Sequence, residues 1–317
     1  MTRTINEVGA AAEADPKARP EITVVIPTYN RLDTLREVIP SLLAQELGTR
    51  PYEIVVADSN SNDGTREYLD SVARNDPRMR HLPGAYSGRA AARNAGIAAA
   101  RGQLVLFTDA DIIAAPDLLA RHLARHRDDP SAAVVGMELQ VASYAEYERL
   151  RDDPTKRRPL HPPKRKHLSW LYFLTGNASV HKRDLMRVGC FDESFTGYGH
   201  EDLELGYRLQ HAGLRLVYEP RAVDFHWHPV PYQEQKSKMT LAGRSTVRFY
   251  RKHPRFGVRA RLGMTPLSLG LHALLRQAPA LVQALERRAA RGPGVARELV
   301  LQYHYVNGIK EALRQRG

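Results

Sequence analysis

Residues 22–26 read ITVVI, a β-branched run closed by Pro27, which suits a strand buried on both faces of a parallel sheet. Downstream, Leu32, Leu35, Ile39, Leu42 and Leu43 recur at spacings of three and four, so residues 32–47 predict a helix with one apolar stripe. The alternation then repeats. A strand is predicted over 54–57, a helix over 64–74, a strand over 79–82, an Ala-rich helix over 90–100 and a strand over 104–107. That order predicts an α/β fold with an open, mostly parallel, Rossmann-like sheet flanked by helices, whose ligands bind beyond the carboxyl ends of the strands. Three polar groups fall at such ends: Thr28-Tyr29-Asn30, Asp58 and Asp109-Ala110-Asp111. All are expected to face one crevice.

The pattern changes in the second half. A strand is predicted over 132–139, and residues 151–167 form a basic, Pro-interrupted segment with Lys156, Arg157, Arg158, Lys164, Arg165 and Lys166 that reads as a solvated loop. A strand over 177–181, a helix over 201–211 and a strand over 215–218 complete an acceptor-side half. From Tyr232 onward the chain reads as helical and basic, with Leu299, Tyr303, Val306, Ile309 and Leu313 at helical spacing. Such a stripe is usually a packing face, although an Arg-rich amphipathic helix also suits an acidic membrane surface. The expected organisation is an arm over 1–20, a catalytic domain over 21–231 with halves 21–140 and 141–231, and a helical extension over 232–317.

Composition adds a sign and a compartment. The 317 residues carry a formal charge of +12, so anionic partners gain a favourable long-range field. Single-strand nucleic-acid modules interleave aromatic with basic residues, and that pattern, like any helix-turn-helix or zinc spacing, is missing, which argues against nucleic acid. One cysteine, Cys190, allows no disulfide framework, suits a reducing compartment and reads as a packing residue. The N-terminus has no apolar core and reads as a flexible arm, not a signal peptide. The most apolar stretch, 267–285, is broken by His272, Arg276 and Pro279, short of the roughly 18 apolar residues of a spanning helix. A soluble cytoplasmic protein is expected, with peripheral contact at the inner membrane face through the basic C-terminal helices. High Ala and Arg content points to a bacterial source, and no feature fixes an oligomeric state.

Asp109 and Asp111, two apart just past a buried strand, could hold a divalent cation across a diphosphate. Aspartates in turns are more often structural, so the pair alone decides little. The stretches VVIPTYNR (24–31) and ARNAGIAAARGQLVLFTDAD (92–111), followed by TGNASVHKRDLMRVGCFDESFTGYGHEDLELGYRL (175–209), resemble the family-two glycosyltransferases of GT-A fold. The resemblance covers about residues 21–229, and the ordered blocks together are far more specific than any one of them.

The resemblance implies a metal-dependent, inverting enzyme that moves one sugar, hexosyl in type, from a nucleotide diphosphate to an acceptor hydroxyl. Pro27, Thr28, Tyr29, Asn30, Arg31, Asp58, Arg93, Asp109 and Ala110 would hold the nucleotide. Asp58 would accept a hydrogen bond from the base, which favours UDP, with dTDP and GDP as alternatives, since many relatives carry two adjacent aspartates where this chain has Asp58-Ser59. Asp111, with Asp109 and with His226 or His228, would bind the cation, manganese in preference to magnesium because imidazole favours transition metals. Asp202, beside Glu201, would be the general base. Trp170, Gly176, Asn177, Tyr198 and Gly199 would meet the acceptor, with Tyr172 and Trp227 as further aromatic faces. The acceptor itself, whether glycan, lipid-linked, peptide or small molecule, is not specified.

Two other readings share parts of this pattern. A nucleotidyltransferase would place a Gly-rich, Arg-containing loop after the first strand, where this chain has PTYNR. A non-catalytic sugar-nucleotide scaffold would lose the acidic pair or the base, and Asp109, Asp111 and Asp202 are all present. Processive synthases carry Gln-x-x-Arg-Trp and membrane-spanning helices, which this chain does not, so transfer of a single sugar is expected.

Overall fold

The structure, a computed structural model, describes residues 19–159, 163, 167–227 and 230–315. The expected N-terminal arm up to residue 18, the cations Lys164, Arg165 and Lys166 and the proposed ligand His228 lie outside the described residues. The described residues fall into two compact units, one of residues up to Cys190 together with Gly206–His228, the other of Phe191–Leu205 and the chain from Pro229 onward.

The first unit is built on an eight-stranded sheet in the order β3-β2-β1-β4-β7-β6-β8-β5. Its strands are β1 (Ile22–Thr28), β2 (Tyr52–Asp58), β3 (Met79–Pro83), β4 (Leu104–Phe107), β5 (Ile112–Ala114), β6 (Ala132–Gln140), β7 (Ala178–His181) and β8 (Arg215–His226). Helices α1 (Leu32–Leu43), α2 (Thr65–Asn75), α3 (Arg89–Ala99), α4 (Leu118–Asp128), α5 (Tyr144–Asp152) and α6 (Lys182–Val188) connect them. Pairing is parallel from β3 to β4, as the βαβ alternation predicts, then antiparallel at β4/β7, β7/β6 and β8/β5, with β6/β8 parallel. The sheet is therefore parallel across β3-β2-β1-β4 and mixed beyond it.

β1, β2 and β4 are buried along their whole length, and so carry the apolar cores VVI, IVVA and LVLF that mark them in the sequence. α1 stops at Leu43, four residues before the sequence suggests, with Pro40 in its last turn. Leu47 nonetheless packs in the core, so its apolar character reports burial and not helix. Helix α3 lies tight on β1 because Gly96 leaves the space that a side chain would need against Val25. The connection after β4 is pinned from α1: the Gln45 amide donates to the Ala115 carbonyl at 2.8 Å and accepts from the Leu119 amide at 3.0 Å, and Ser41 Oγ accepts from the Ala114 amide at 3.0 Å.

β8 continues to His226, well past the predicted end at 218, because its register on β6 jumps between Gly136/Met137, leaving residues 220–222 bulged out. Pro220, which cannot donate a ladder hydrogen bond, sits in that bulge and disguises the strand. The basic segment from Arg151 begins in α5 and passes through a short 3-10 turn, Pro154–Lys156.

In the second unit, the first turns of α7 (Glu201–His211) accompany α8 (Tyr232–Lys252), α9 (Phe256–Arg261), α10 (Pro266–Arg276), α11 (Pro279–Ala289) and α12 (Val295–Arg314). α8 and α12 cross closely enough that a side chain at Gly243 would meet the backbone of Tyr305 and one at Gly308 that of Thr240. Of the predicted C-terminal stripe, Val306 and Ile309 are buried in this core, while Leu299 and Leu313 are exposed.

Candidate functional site

In the first unit, the loops after β1 and β2 are stitched together. The Asn30 amide donates to Ser61 Oγ at 2.8 Å, Asn30 Oδ1 accepts from the Asn62 amide at 2.9 Å, and the Arg31 amide donates to Thr65 Oγ1 at 3.2 Å. Asn30 takes a left-handed φ of 50°, a conformation Asn tolerates better than most residues. Pro27 and Thr28 are buried at the end of β1, whereas Tyr29 stands 59% exposed. Asp58 is fully buried, and its Oδ1 accepts from the Ser61 amide at 3.1 Å and from Ser61 Oγ at 2.5 Å, with His81 Nε2 at 3.5 Å from Oδ2.

The close seat of α3 carries Arg93, 1% exposed, to the end of β4, where its Nη2 donates to Asp109 Oδ1 at 2.8 Å. Ala110 is buried in the core and so turns the two aspartates of the triplet outward. The Asp111 carbonyl accepts from the Trp227 amide at 2.8 Å, which ties the triplet to the end of β8. His226 Nε2 lies 3.5 Å from Asp111 Oδ1, too long for a direct hydrogen bond. On the other side of the ring, Nδ1 is 3.6 Å from Glu138 Oε1 and 2.9 Å from Gln140 Nε2, which itself donates to Glu138 Oε1 at 2.7 Å. Burial disfavours the charged ring, but Asp111 and Glu138 outweigh it and raise His226 to about 10. Among the described residues no three His, Cys, Asp or Glu side chains converge as a ready-made metal cage. Asp111 and, once its proton is displaced, the Nε2 edge of His226 nonetheless offer one hard and one borderline donor side by side, a set that fits a divalent cation such as manganese.

Sequence reasoning missed Glu138, Gln140 and Asp224. Asp224 pairs with Glu138 across β8 and β6, is fully buried and finds no hydrogen-bond partner of good geometry on either oxygen among the described residues, while the neighbouring Asn177 amide donates to the Ala222 carbonyl at 3.0 Å. Burial, then the Glu138 charge, push its pKa well above the usual carboxylate range. The available signal was phase, because Glu138 and Gln140 alternate along β6 as Asp224 and His226 do along β8.

Of the expected acceptor residues, Trp170 is buried edge-on to Tyr207, 5.7 Å between ring centres. Tyr172 is 42% exposed, and Trp227 packs against the core and Tyr144. Gly176 lets the Glu138 carboxylate and Ile112 pass close to its backbone. Asn177 is 3% exposed, and its Oδ1 lies 2.7 Å from His122 Nε2. His122 Nδ1 in turn is 2.7 Å from Ser179 Oγ, which is 2.8 Å from His126 Nε2. With the Asn177 amide committed to Ala222, the chain runs one way: His126 Nε2–H to Ser179 Oγ, Ser179 O–H to His122 Nδ1, His122 Nε2–H to Asn177 Oδ1.

In the second unit, Gly199 and His200 take left-handed φ of 88° and 74°, so the chain turns sharply just before α7. The turn is held by α8: Ser245 Oγ donates to the Tyr198 carbonyl at 3.1 Å, His200 Nε2 meets Thr246 Oγ1 at 2.6 Å, and Gly199 faces Ala242. Lys238 Nζ lies over the Tyr198 ring, 5.5 Å from its centre. Within α7, Glu204 Oε1 pairs with His253 Nε2 at 2.8 Å. Glu201 is buried, while Asp202 is partly exposed and accepts from the Leu203 amide at 2.8 Å.

Comparison with known proteins agrees with this architecture. Residues 23–189, more than half of the chain, match Glycosyl transferase family 2, and residues 160–226 match the N-terminal domain of galactosyltransferase. Validoxylamine A glucosyltransferase of Streptomyces hygroscopicus subsp. jinggangensis (strain 5008) is 31% identical over 263 residues, 74% of this chain and 61% of that protein. The chain thus spans about three fifths of that relative's length. Among solved structures, mannosyltransferase PcManGT from Pyrobaculum calidifontis, in complex with GDP-Man and Mn2+, superposes with a TM-score of 0.62 at 21% identity, covering 98% of this chain and 92% of that one. GalNAc-T7 with UDP, GalNAc and Mn2+ gives 0.56 at 18% identity, covering 74% and 48%. The sheet order, the aspartate triplet past β4 and the extent of the family match agree: the chain belongs to glycosyl transferase family 2, with the GT-A fold.

Proposed function

We propose that this chain is a metal-dependent, inverting glycosyltransferase that transfers one sugar from a nucleotide diphosphate, UDP in preference to dTDP or GDP, to an acceptor hydroxyl. The observation that carries the reading is the group at the carboxyl end of β4, where buried Arg93 fixes Asp109 and Asp111 stands beside His226. The loops after β1 and β2, from Pro27 to Arg31 and at Asp58, form the nucleotide end. A base imide reaching Asp58 would donate to a carboxylate whose Oδ1 already accepts from Ser61 and whose Oδ2 has the Ser61 amide at 3.4 Å and His81 Nε2 at 3.5 Å.

Asp111 and His226 would hold the cation, with Asp109 kept toward the ribose by Arg93. When bound, the cation neutralises the charge that develops on the diphosphate leaving group. Glu138 is the carboxylate nearest the far nitrogen of His226, 3.6 Å from Nδ1, the side from which an outer carboxylate orients a metal-binding imidazole. Asp202 takes the proton of the attacking hydroxyl, and one in-line displacement at the anomeric carbon inverts it. Mn2+ in the structures of the mannosyltransferase and GalNAc-T7 supports the metal, and their GDP and UDP leave the base to Asp58.

Calorimetric titration with UDP, dTDP and GDP, each with manganese and with chelator, tests this. Metal-dependent binding of UDP is expected, absent in Asp111→Ala and about 10-fold or more weaker in manganese affinity for Glu138→Ala. Chelator-insensitive binding would refute metal dependence, and binding of none of the three would leave the non-catalytic scaffold as the better reading.

We also propose peripheral contact with the cytoplasmic face of an acidic membrane. No helix of the described residues is long and apolar enough to cross one. Leu267, Leu271 and Leu274, 82%, 52% and 64% exposed, form an outward apolar stripe on α10, which ends at Arg276. Flotation with phosphatidylglycerol vesicles but not phosphatidylcholine is expected, and equal recovery with both would refute an electrostatic contact.

A further inference from the structure

The positive charge of this chain is not spread evenly. Residues 232–317 hold 17 Lys and Arg against four Asp and Glu, an excess larger than the net charge of the whole chain. Within the second unit, part of that charge gathers around a half-open cleft of about 380 Å3, lined by Thr196 and Gly197 on one side and by the α8 cations Arg244, Arg248, Arg251 and Lys252 on the other. Arg244, Arg248 and Arg251 recur at spacings of four and three, so they share one face of the helix. No acidic side chain lines the cleft.

The partners of these cations show which charges are already answered. Arg244 is paired with Glu311 at 2.7 Å, and Lys252 is paired with Asp192. Arg251 Nη2 donates to the Ala312 and Gln315 carbonyls at 3.2 and 3.0 Å, which leaves its charge without a carboxylate. Arg248 has its guanidinium over the Phe195 ring, 5.9 Å from the centre, and likewise has no carboxylate among the described residues. Two full positive charges therefore face a concave surface. Guanidinium forks match phosphate oxygens in pairs, and a phosphate monoester carries close to the two negative charges that would balance them.

The position of the cleft connects it to the reaction. Thr196 and Gly197 immediately precede the Tyr198-Gly199-His200 turn that leads into Glu201 and Asp202, and Ser245, which also lines the cleft, is the residue that holds the Tyr198 carbonyl. The same stretch of α8 therefore carries the cations and fixes the turn before the assigned base.

We propose that this cleft is a phosphate subsite that anchors a phosphate-bearing acceptor, free or as a lipid headgroup, while its hydroxyl is presented to Asp202. The proposal deepens the transferase reading and rests on it for the word acceptor, but phosphate binding at the cleft stands independently of it. A neutral acceptor would leave Arg248 and Arg251 without a counter-charge.

The test uses the full chain and inorganic phosphate, followed by calorimetry or by amide chemical shifts at low and high salt. Saturable binding that weakens with salt is expected, reduced about 10-fold or more in Arg248→Glu and in Arg251→Ala, with manganese-dependent UDP binding unchanged. Arg251 also braces the end of α12, so Arg248→Glu, which breaks no hydrogen bond to the backbone, guards against a folding artefact. Loss of UDP binding in the unaltered chain would defeat the transferase reading and leave the phosphate site standing. Phosphate binding that is undetectable in the unaltered chain, or undiminished in both variants, overturns the site. A panel of sugars with and without phosphate, and vesicles with phosphatidylglycerol or phosphatidylcholine, separates the sources. Transfer or binding confined to phosphate-bearing members, with KM raised in Arg248→Glu and kcat kept, supports the anchor. Equal use of unphosphorylated sugars overturns it.

Discussion

Asp202→Asn is expected to lower kcat by roughly 10²- to 10⁴-fold while leaving the affinity for UDP with manganese within about a factor of two. The asparagine keeps the shape of the carboxylate and can still accept from the Leu203 amide, as Asp202 does at 2.8 Å, so the start of α7 should survive. It cannot take a proton from the attacking hydroxyl. Asp111→Ala should show the opposite split, with metal-dependent donor binding lost and the fold intact, because Asp111 belongs to the β4 end and not to α7. Single-turnover kinetics alongside calorimetry separate the two. Equal loss of donor binding in both variants would mean that the division between a cation ligand and a proton acceptor is wrong.

Acid is expected to unfold this protein early, with the loss of stability concentrated between about pH 6.5 and about pH 4. Burial holds His122 down to about 4 and His126 down to about 3, the second lowered further by the neighbouring His122 and His181. Burial likewise holds His200 at about 4. A ring kept neutral in the fold but free to protonate when unfolded makes the unfolded state the better proton binder below its ordinary value near 6.5, so stability falls as pH falls. For His122 alone the loss is about 2 kcal/mol by pH 5 and about 3 kcal/mol by pH 4. His122 and His126 share Ser179 and titrate as a pair, because the one-way chain from His126 to Asn177 has no place for an extra proton. Urea denaturation at pH 7.5 and pH 5, compared between the unaltered protein and His126→Gln, measures this. The variant should show the shallower dependence on pH, and identical slopes would exonerate the histidine chain.

The parallel half of the sheet was legible because its strands are buried on both faces, so ITVVI in β1 is apolar or β-branched throughout and LVLF in β4 is wholly apolar. β5 has only three residues, too few to show a period, and exists because its neighbours on β8 and the clamp from Gln45 hold it. The helices α4 and α6 carry polar residues inward, His122 and His126 in one and Asp184 in the other, and so blur the apolar stripe that would announce them. The aspartate triplet was legible as a local motif. Glu138 was not, since only the pairing of β6 with β8 brings it to His226. The partners of Asn177, His122 and the Ala222 carbonyl, are distant in sequence, so its burial in a hydrogen-bonded chain was not legible there.

The bulge at residues 220–222 sets a reading frame for the far end of β8. Before it, Val217 and Glu219 share the face of Val134 and Gly136, so odd-numbered residues of β8 stand with even-numbered residues of β6. After it, Asp224 and His226 stand with Glu138 and Gln140, even with even, while Val223 and Phe225 turn into the core. The three bulged residues therefore act as a phase shifter. Changes of length in that short segment are tolerable only in pairs, because a single inserted or deleted residue would swing the imidazole of His226 into the apolar core and bring Phe225 out beside Asp111. The chemistry at the end of β4 is thus governed by the parity of a loop that touches none of it.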